Sequence, residues 1–276
     1  MERKVDVLVI SDVHLGTFGC QAKELLLYLQ SVKPQILILN GDIVDGWQFR
    51  RKYFPASHLE VIFQIMKMAM EGTKIYYLSG NHDEFIRNLA PFYTGNIFFK
   101  DQLHLKLHGK TYLFFHGDVF DYSVSVSPFI AHLGGLGYDT LIRFNTFLNR
   151  LRLRFGLERI SFAHRIKTKI KHAIQFIHSF EEAAINYGKQ LEVDAVVCGH
   201  IHIPKMEKRI NENKTIEYYN SGDWVENMSA LEFKEGCWSI FRYDELDFLY
   251  LRRRFQFKED TVESFNQMIE HDDSFI

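Results

Sequence analysis

The chain has 276 residues, of which 46% are hydrophobic and 15% aromatic, enough to bury the core of one large or two small domains. Its formal net charge of −2 gives no general reason to expect nucleic-acid binding. Three widely separated cysteines indicate neither a disulfide framework nor a structural zinc site, which fits a reducing cytoplasm. The first residues lack the apolar core of a signal peptide, and no apolar run reaches the ~20 residues that span a bilayer. We therefore expect any membrane contact to be peripheral.

The first part of the chain, from residue 5 to about 117, alternates short apolar runs with helical patterns. The runs Val7–Ile10, Ile36–Leu39 and Ile75–Leu78 are bounded by Gly and Asp, as buried strands are. Between these runs, residues 22–32 and 58–70 have helical spacing. This βαβαβ order predicts a layered α/β domain with right-handed crossovers.

A hairpin at residues 106–112 is predicted to lead into a fourth strand, Leu113–Phe115. From about residue 122 to 190 the strand signal vanishes and apolar residues recur at helical spacing, which predicts an insertion of two or more helices. A fifth apolar run, Ala195–Val197, marks the return of the chain to a sheet.

Alternating segments between residues 205 and 243 predict antiparallel strands that close a second sheet. The predicted fold class is therefore α/β, a two-sheet α/β sandwich. We expect residues 1–258 to form one domain around the insertion at 122–190. The remaining residues, 259–276, are polar and acidic and are expected to form a C-terminal tail.

Five short polar segments follow these apolar runs and carry the chemistry. They are Asp12-Val13-His14, Gly41-Asp42, Gly80-Asn81-His82-Asp83, His116-Gly117-Asp118 and Gly199-His200-Ile201-His202. Two divalent ions a few Å apart need hard oxygens, imidazoles and one bridging carboxylate. The candidate metal ligands are Asp12, His14, Asp42, Asn81, His116, His200 and His202. Because α/β sheets place their sites at the C-terminal ends of strands, we expect these side chains to meet there.

Spacing assigns roles within the segments. Side chains two residues apart on an extended segment point the same way, so Asp12 and His14 are expected to share one metal. Asp42 is the expected bridge, because its glycine neighbour permits close backbone approach. His82 is expected to face the substrate, with Asp83 orienting its imidazole. Asp45 is expected to be structural or to lie behind the ligands.

Each segment taken alone has an ordinary alternative. An isolated Asp-x-His pair is more often a loop feature, and an isolated Gly-Asp more often caps a helix or lies in a turn. Chance also produces a single His-x-His. Five such segments in this order are not explained by those alternatives.

The five segments resemble the signature of the calcineurin-like metallophosphoesterase superfamily, which reads D-x-H, G-D, G-N-H-D, H and G-H-x-H. The resemblance implies one metal held by Asp12, His14, Asp42 and His202 and another held by Asp42, Asn81, His116 and His200. It also implies that His82 stabilises the transition state or protonates the leaving group. We expect two divalent ions, with Mn the first choice and Fe, Zn or Mg the alternatives.

The insertion and the length of the chain resemble the UDP-2,3-diacylglucosamine diphosphatase branch of lipid A synthesis. That resemblance implies cleavage of a pyrophosphate into UMP and a lipid phosphate, with the insertion acting as a lid over the acyl chains. The chain departs from the branch in three places: at His82, after His202, and at the residues around Trp47, where the Trp is kept but not its usual neighbours. The branch has Arg where His82 stands, and its His-x-His is followed by Arg-Pro rather than by Ile203-Pro204.

The insertion is strongly basic, with nine Lys or Arg against one acid between Arg143 and Lys171. Within it, the candidate contacts to substrate phosphates or anionic lipid headgroups are Arg150, Arg152 and Arg154. Arg87, which follows the Gly80–Asp83 segment, is a further candidate contact to substrate phosphates. A solvated helix face over an ordinary core is the alternative. The expected location is the cytoplasm, with peripheral contact to the inner face of the cytoplasmic membrane.

Two other functions are compatible with these motifs. One is a phosphodiesterase acting on nucleotides or nucleic acid, although nucleic acid is disfavoured because only one segment is basic. The other is a non-catalytic scaffold with a phosphoesterase fold, disfavoured because every ligand is present. The oligomeric state is not indicated by the sequence.

Overall fold

The computed structural model describes residues 3–46, 53–120, 163–211 and 214–244. Across these ranges the chain forms two β-sheets, three α-helices and two short 3₁₀ helices. The α-helices are α1 (Ala22–Ser31), α2 (Ala56–Met70) and α3 (Ala163–Gln190). The 3₁₀ helices are Glu84–Leu89 and Asp118–Phe120.

The first sheet has seven strands in the order β12-β11-β1-β2-β3-β5-β4. Its strands are β1 (Arg3–Ile10), β2 (Val32–Asn40), β3 (Lys74–Leu78), β4 (Phe92–Thr94), β5 (Ile97–Lys100), β11 (Ser229–Lys234) and β12 (Cys237–Arg242). Strands β1, β2, β3 and β5 run parallel, and antiparallel pairs flank them on both sides. The parallel order of β1, β2 and β3 follows from the α1 and α2 crossovers.

The second sheet has five strands in the order β6-β7-β8-β10-β9. Its strands are β6 (Gln102–Leu107), β7 (Lys110–Phe115), β8 (Ala195–Cys198), β9 (Lys205–Asn211) and β10 (Lys214–Asn220). The three central strands are parallel, and β6 and β9 pair antiparallel at the two edges.

The two sheets stack face to face, with helices on both outer faces. Strand β1 shows why: Val7 and Val9 contact the second sheet, whereas Leu8 and Ile10 pack with α1 and α2. Both faces of β1 are buried, so its sequence is a continuous apolar run. Helix α3 covers the outer face of the second sheet, where Phe180 packs in a separate core cluster.

Backbone contacts join the loops at the ends of both sheets. The Gly199 N–H donates to the carbonyl of His116 at 3.0 Å, and the Asp12 N–H donates to Gly41 at 3.1 Å. The Trp224 N–H donates in turn to the carbonyl of Asp12 at 3.1 Å. Loops after β1, β2, β7, β8 and β10 therefore meet at one edge of the sandwich.

The structure confirms the α/β class, the five apolar strands, the 106–112 hairpin and the two helices predicted between the first three strands. One assignment was wrong. Residues 229–242 do not close the second sheet but extend the first one, because β11 pairs antiparallel with β1 and aligns Leu231 with Val9. The short strands β4 and β5 were not predicted.

Part of the predicted insertion is helical, since α3 occupies Ala163–Gln190. Residues 121–162 lie outside the described part of the chain, and so do Arg150, Arg152 and Arg154. The lid therefore stays a prediction, as do the 1–258 domain and the 259–276 tail. None of the helices in the described ranges combines the length and the apolar character needed to cross a bilayer.

Candidate metal centre

The predicted ligands gather into two groups at the shared edge of the sandwich. Asp12, His14 and His202 form the first group. Asp42, His116 and His200 form the second. Within each group, one ligand atom per residue lies within 4.8 Å of the others. Four of the five sequence segments thus supply side chains to two adjacent sites.

Asp42 belongs to the second group and also lies next to the first. Its Oδ2 is 3.3 Å from Nε2 of His116 and 3.9 Å from Nε2 of His14. Its Oδ1 accepts a hydrogen bond of 2.8 Å from the backbone N–H of His82. This placement suits a carboxylate that bridges two ions. Asn81, from the fifth segment, has a half-buried side chain whose Oδ1 is shielded from solvent.

Five of the seven ligand residues adopt left-handed backbone conformations, with positive φ at Asp12, His14, Asp42, His200 and His202. Such angles are strained for residues other than Gly and Asn and tend to occur at functional sites. The expectation of extended Asp-x-His and His-x-His segments was therefore wrong. Side chains two residues apart converge here because both residues turn left-handed after their strands end.

Two glycines allow the ligand loops to approach closely. A Cβ atom at Gly80 would lie 2.2 Å from Oδ1 of Asp42. A Cβ atom at Gly41 would lie 2.4 Å from Nδ1 of His116, and the φ of this residue is +83°. Any side chain at either position would displace a ligand, so glycine is required beside Asp42 and Asn81.

Groups behind the ligands orient the imidazoles. Nδ1 of His116 lies 2.9 Å from the carbonyl oxygen of Asn40, so it donates there and leaves Nε2 for a metal. Nδ1 of His202 lies 3.6 Å from the buried carboxylate of Asp223. Asn227 donates to the carbonyl of His202 and to Asp223, both at 2.8 Å.

Sequence reasoning missed Asp223, although a signal was present. Gly222-Asp223 is a second Gly-Asp pair placed just after a strand, as Gly41-Asp42 is. The Asp223 Oδ1 accepts backbone hydrogen bonds from residues 225, 226 and 227. This carboxylate therefore fixes a loop and faces a ligand at the same time.

The buried acids and imidazoles shift each other's protonation. Burial alone raises the pKa of Asp12, but His202 and His116 outweigh it and lower this pKa to about 2. Burial lowers the pKa of His202, yet Asp12 and Asp223 raise it to about 9. Likewise Asp42 raises the pKa of His116 well above its ordinary value in spite of burial. The buried carboxylates of the centre thus stabilise positive charge on the imidazoles beside them.

The carboxylate that orients His82 is not the one predicted from the sequence. Asp83 does not orient His82, because its carboxylate accepts hydrogen bonds from the backbone of Gly80 and Ile43 and from the Tyr77 hydroxyl, at 2.6 to 2.8 Å. Asp45 orients the His82 imidazole instead, since its Oδ2 is 3.0 Å from Nδ1 of His82. The His82 ring remains partly exposed, so it can face a substrate.

The sequence profile of the calcineurin-like phosphoesterase family matches residues 5–204. The chain belongs to this family. The matched range contains every ligand named above and ends two residues after His202. The protein is accordingly a metallophosphoesterase, and its family implies divalent metal ions in the centre.

Individual proteins match this chain at low sequence identity. The DNA polymerase II small subunit of Thermoplasma acidophilum is 26% identical, and the match covers 80% of this chain but only 45% of that protein. The UDP-2,3-diacylglucosamine hydrolase of Pseudomonas fluorescens is 25% identical over 86% of this chain and 95% of the hydrolase. Among solved structures, a Vps29 single mutant from Entamoeba histolytica is 15% identical over 86% of this chain and 97% of its own, with a TM-score of 0.40.

The donor atoms fit the metals that the family implies. Nε2 of His14, Oδ1 of Asn81 and Nε2 of His116 are buried and lack a hydrogen-bond partner among the described residues. Buried polar atoms are nearly always paired, so atoms of this kind mark a place for another group. Nitrogen and oxygen donors beside two carboxylates are the ligands that Mn, Fe and Zn accept.

Arg87 was predicted to contact substrate phosphates, and the structure shows it paired within the protein. Its Nη2 is 2.9 Å from Oδ2 of Asp118, and its Nε is 3.2 Å from Oδ1 of Asp101. The side chain is about one-third exposed. Its charge is therefore largely balanced by neighbouring acids.

Proposed function

We propose that this metallophosphoesterase hydrolyses the pyrophosphate of UDP-2,3-diacylglucosamine or of a related nucleotide-linked lipid, giving UMP and a lipid phosphate. The observation that carries the proposal is the end-to-end match with a UDP-2,3-diacylglucosamine hydrolase, which covers 95% of that enzyme. The seven candidate ligands, which include two adjacent groups of acids and imidazoles, support a phosphohydrolase in particular.

The side chains of the centre suit this reaction. Two divalent ions bound here would polarise a phosphoryl oxygen and supply an activated water for in-line attack. One oxygen of Asp42 faces imidazoles of both ligand groups, and the other accepts a hydrogen bond from the backbone N–H of His82. His82 is partly exposed and is oriented by Asp45, so it is placed to donate a proton to the leaving group or to stabilise charge on the phosphorus oxygens.

We propose Mn as the metal, with Fe, Zn or Mg as alternatives. Four imidazoles favour a transition metal over Mg, whereas the carboxylates and the Asn81 amide favour a harder ion than one bound by thiolates. We also propose that the protein acts in the cytoplasm and meets its substrate at the inner face of the membrane, because a diacylated sugar nucleotide partitions into a bilayer surface.

The test is product release by the purified, Mn-loaded protein. UDP-2,3-diacylglucosamine, UDP-glucose and a chromogenic phosphodiester are supplied in parallel, and Asp42→Ala serves as the inactive control. We expect UMP to be released from the lipid in clear preference to UDP-glucose. Turnover of the chromogenic ester with no release of UMP from the lipid would overturn the substrate while leaving the metallophosphoesterase activity in place.

A phosphodiesterase acting on nucleotides or nucleic acid is the second candidate. It is favoured by the similarity to the DNA polymerase II small subunit, although this chain spans less than half of that protein. Single-stranded DNA in the same assay separates the two candidates, because a nucleic-acid enzyme would cleave it faster than the UDP-lipid. A non-catalytic scaffold is disfavoured, since all seven ligands are retained.

A further inference from the structure

A cavity of about 360 Å³ lies beside His82, at the 3₁₀ helix that follows the Gly80–Asp83 loop. It is lined by Gly46, His82, Glu84, Phe85, Arg87 and Asn88. This volume is at the lower end of the range of small-molecule sites. Of these six residues, His82 alone belongs to the predicted catalytic set and none is a candidate metal ligand, so the cavity adjoins the metal centre without including it.

The charge of the lining disfavours a phosphate there. Arg87, the cationic side chain of the wall, is paired with Asp118 at 2.9 Å and with Asp101 at 3.2 Å. Glu84 adds a carboxylate to the lining, 3.9 Å from the same guanidinium. Because Asp101 and Asp118 already pair with Arg87 and Glu84 lies beside it, the cavity suits an uncharged group, and phosphate groups are better accommodated at the metal centre.

The same lining disfavours an acyl chain. Glu84 and Asn88 are polar and exposed, so an aliphatic chain lying on them would take their hydrogen-bonding groups out of water. Phe85 provides the aromatic surface. Its side chain is 47% exposed, and a Cβ atom added at Gly46 would lie 3.2 Å from the edge of its ring. The ring thus packs against a residue without a side chain and keeps surface open to solvent.

We propose that this cavity binds the nucleoside portion of a nucleotide-linked substrate. The base stacks on Phe85, and its polar edge is directed toward the Asn88 amide and the Glu84 carboxylate. Nucleobases combine a flat π-face with hydrogen-bonding edges, which matches one aromatic ring beside an amide and an acid. The identity of the nucleotide rests on the proposed function. The acyl portion of such a substrate then lies on the other side of the metal centre.

Calorimetric binding of UMP to the Mn-loaded protein tests the assignment. Phe85→Ala is expected to weaken UMP binding roughly tenfold, the usual effect of removing one base-stacking ring. Phe85→Trp is expected to keep the affinity, because it keeps a stacking surface. Phe92→Ala is the matched control, since Phe92 is 52% exposed on β4 and does not line the cavity.

Ribose 5-phosphate and inorganic phosphate, which lack the base, separate stacking from damage to the metal centre. Their affinities are expected to be equal in the wild type and in Phe85→Ala. Equal UMP binding by the wild type and Phe85→Ala would overturn the inference, and so would a parallel loss of ribose 5-phosphate binding.

The failure of this inference and that of the proposed function give different results. If UMP binding depends on Phe85 but no UDP-lipid is hydrolysed, the nucleoside site stands and the lipid substrate is wrong. If the UDP-lipid is hydrolysed but Phe85→Ala leaves both UMP affinity and KM unchanged, the nucleoside site is wrong and the proposed function stands.

Discussion

Each of the two carboxylates at the centre faces the imidazoles and also accepts a hydrogen bond from the backbone of another loop. The Asp12 carboxylate accepts the backbone N–H of His200 at 3.0 Å, and the Asp42 carboxylate accepts that of His82 at 2.8 Å. The backbone N–H of His14 donates to the carbonyl of Asp42 at 2.9 Å. Strained loop conformations persist where their surroundings over-determine them, as these reciprocal bonds do.

Asp45 and Asp83 offer a direct test of the residue roles. Asp45→Asn is expected to lower kcat on a chromogenic phosphodiester by roughly 10- to 100-fold, because it weakens the orientation of His82. Its thermal midpoint is expected to stay close to that of the wild type. The measurement is steady-state kinetics at matched Mn occupancy, alongside a thermal unfolding curve.

Asp83→Ala is the contrasting variant. It removes the acceptor of three buried hydrogen bonds, so it is expected to lower the free energy of unfolding by about 3 kcal/mol. A stable Asp83→Ala protein with a large loss of kcat, or a fully active Asp45→Asn, would reverse the two assignments.

The ligand residues were predictable at this scale, because donor types at the ends of apolar runs are local features of the sequence. The partner of His82 was not. Asp83 is adjacent in sequence but turns inward to Tyr77, whereas Asp45 comes from another loop 37 residues away. Asp223 and Phe85 likewise gain their positions only when separate loops are brought together.

At the scale of elements, helix α3 ties the inserted region to the metal centre. The Phe180 ring lies 5.8 Å from the ring of His200, measured between centroids. It also fills the space beside Gly117, where a Cβ atom would lie 2.5 Å from the ring. Phe180 thus contacts the loops that carry two of the predicted ligands, His116 and His200.

Phe180→Ala is expected to raise the Kd for Mn about tenfold, because His200 loses its packing partner. Phe176→Ala is the control, since Phe176 is buried in the same cluster. Both variants are expected to lose about 3 to 5 kcal/mol of stability. Calorimetric titration of Mn below the unfolding temperature tests the difference, and equal Mn affinity in the two variants would contradict it.

Glu217 links three strands of the second sheet and gives a pH-dependent contribution to stability. Its carboxylate is 2.9 Å from Lys110 Nζ, 3.2 Å from Lys208 Nζ and 3.0 Å from the Tyr219 hydroxyl. Burial raises the pKa of Glu217, but Lys110, Tyr219 and Lys208 outweigh it, so the pKa is lowered from 4.5. The stabilisation is therefore fully present above pH 4.5 and is lost as the pH falls through the folded-state pKa.

Glu217→Gln is expected to reduce the free energy of unfolding by about 1 kcal/mol at pH 7 and by less at pH 4. Urea unfolding at the two pH values measures the difference, with Glu235→Gln as an exposed control. A loss of the same size at both pH values would show that the ionised carboxylate is not responsible.

Strands and helices with a clear hydrophobic period were predictable from the sequence, but the neighbouring strand with which each strand pairs was not. Alternation identified strands near 230–243, but period-two patterning does not say which strand lies alongside. The choice of β1 as partner depends on tertiary packing, in which β11 covers an edge of β1 that would otherwise be exposed. The short strands β4 and β5 have three and four residues, too few for a reliable period.

At the scale of the whole molecule, two stacked sheets bring loops that are far apart in sequence to one edge. Asp12 and His200 are separated by 188 residues, yet they share a hydrogen bond there. Neither sheet alone carries the whole centre: β1 and β2 lead to Asp12 and Asp42, and β7 and β8 lead to His116 and His200. The proposed two-metal centre would therefore be a property of the sandwich, because each sheet supplies part of its ligands.

The most direct test of that claim is the number of Mn ions bound per chain at equilibrium, measured for the wild type, Asp42→Ala and His104→Ala. His104 lies on β6, outside the two ligand groups, and serves as the control. We predict two ions for the wild type and for His104→Ala, and fewer than two for Asp42→Ala, with loss of phosphodiester turnover. A wild type that binds one ion at saturation, or an Asp42→Ala protein that keeps two ions and full turnover, would contradict the bridged two-metal centre.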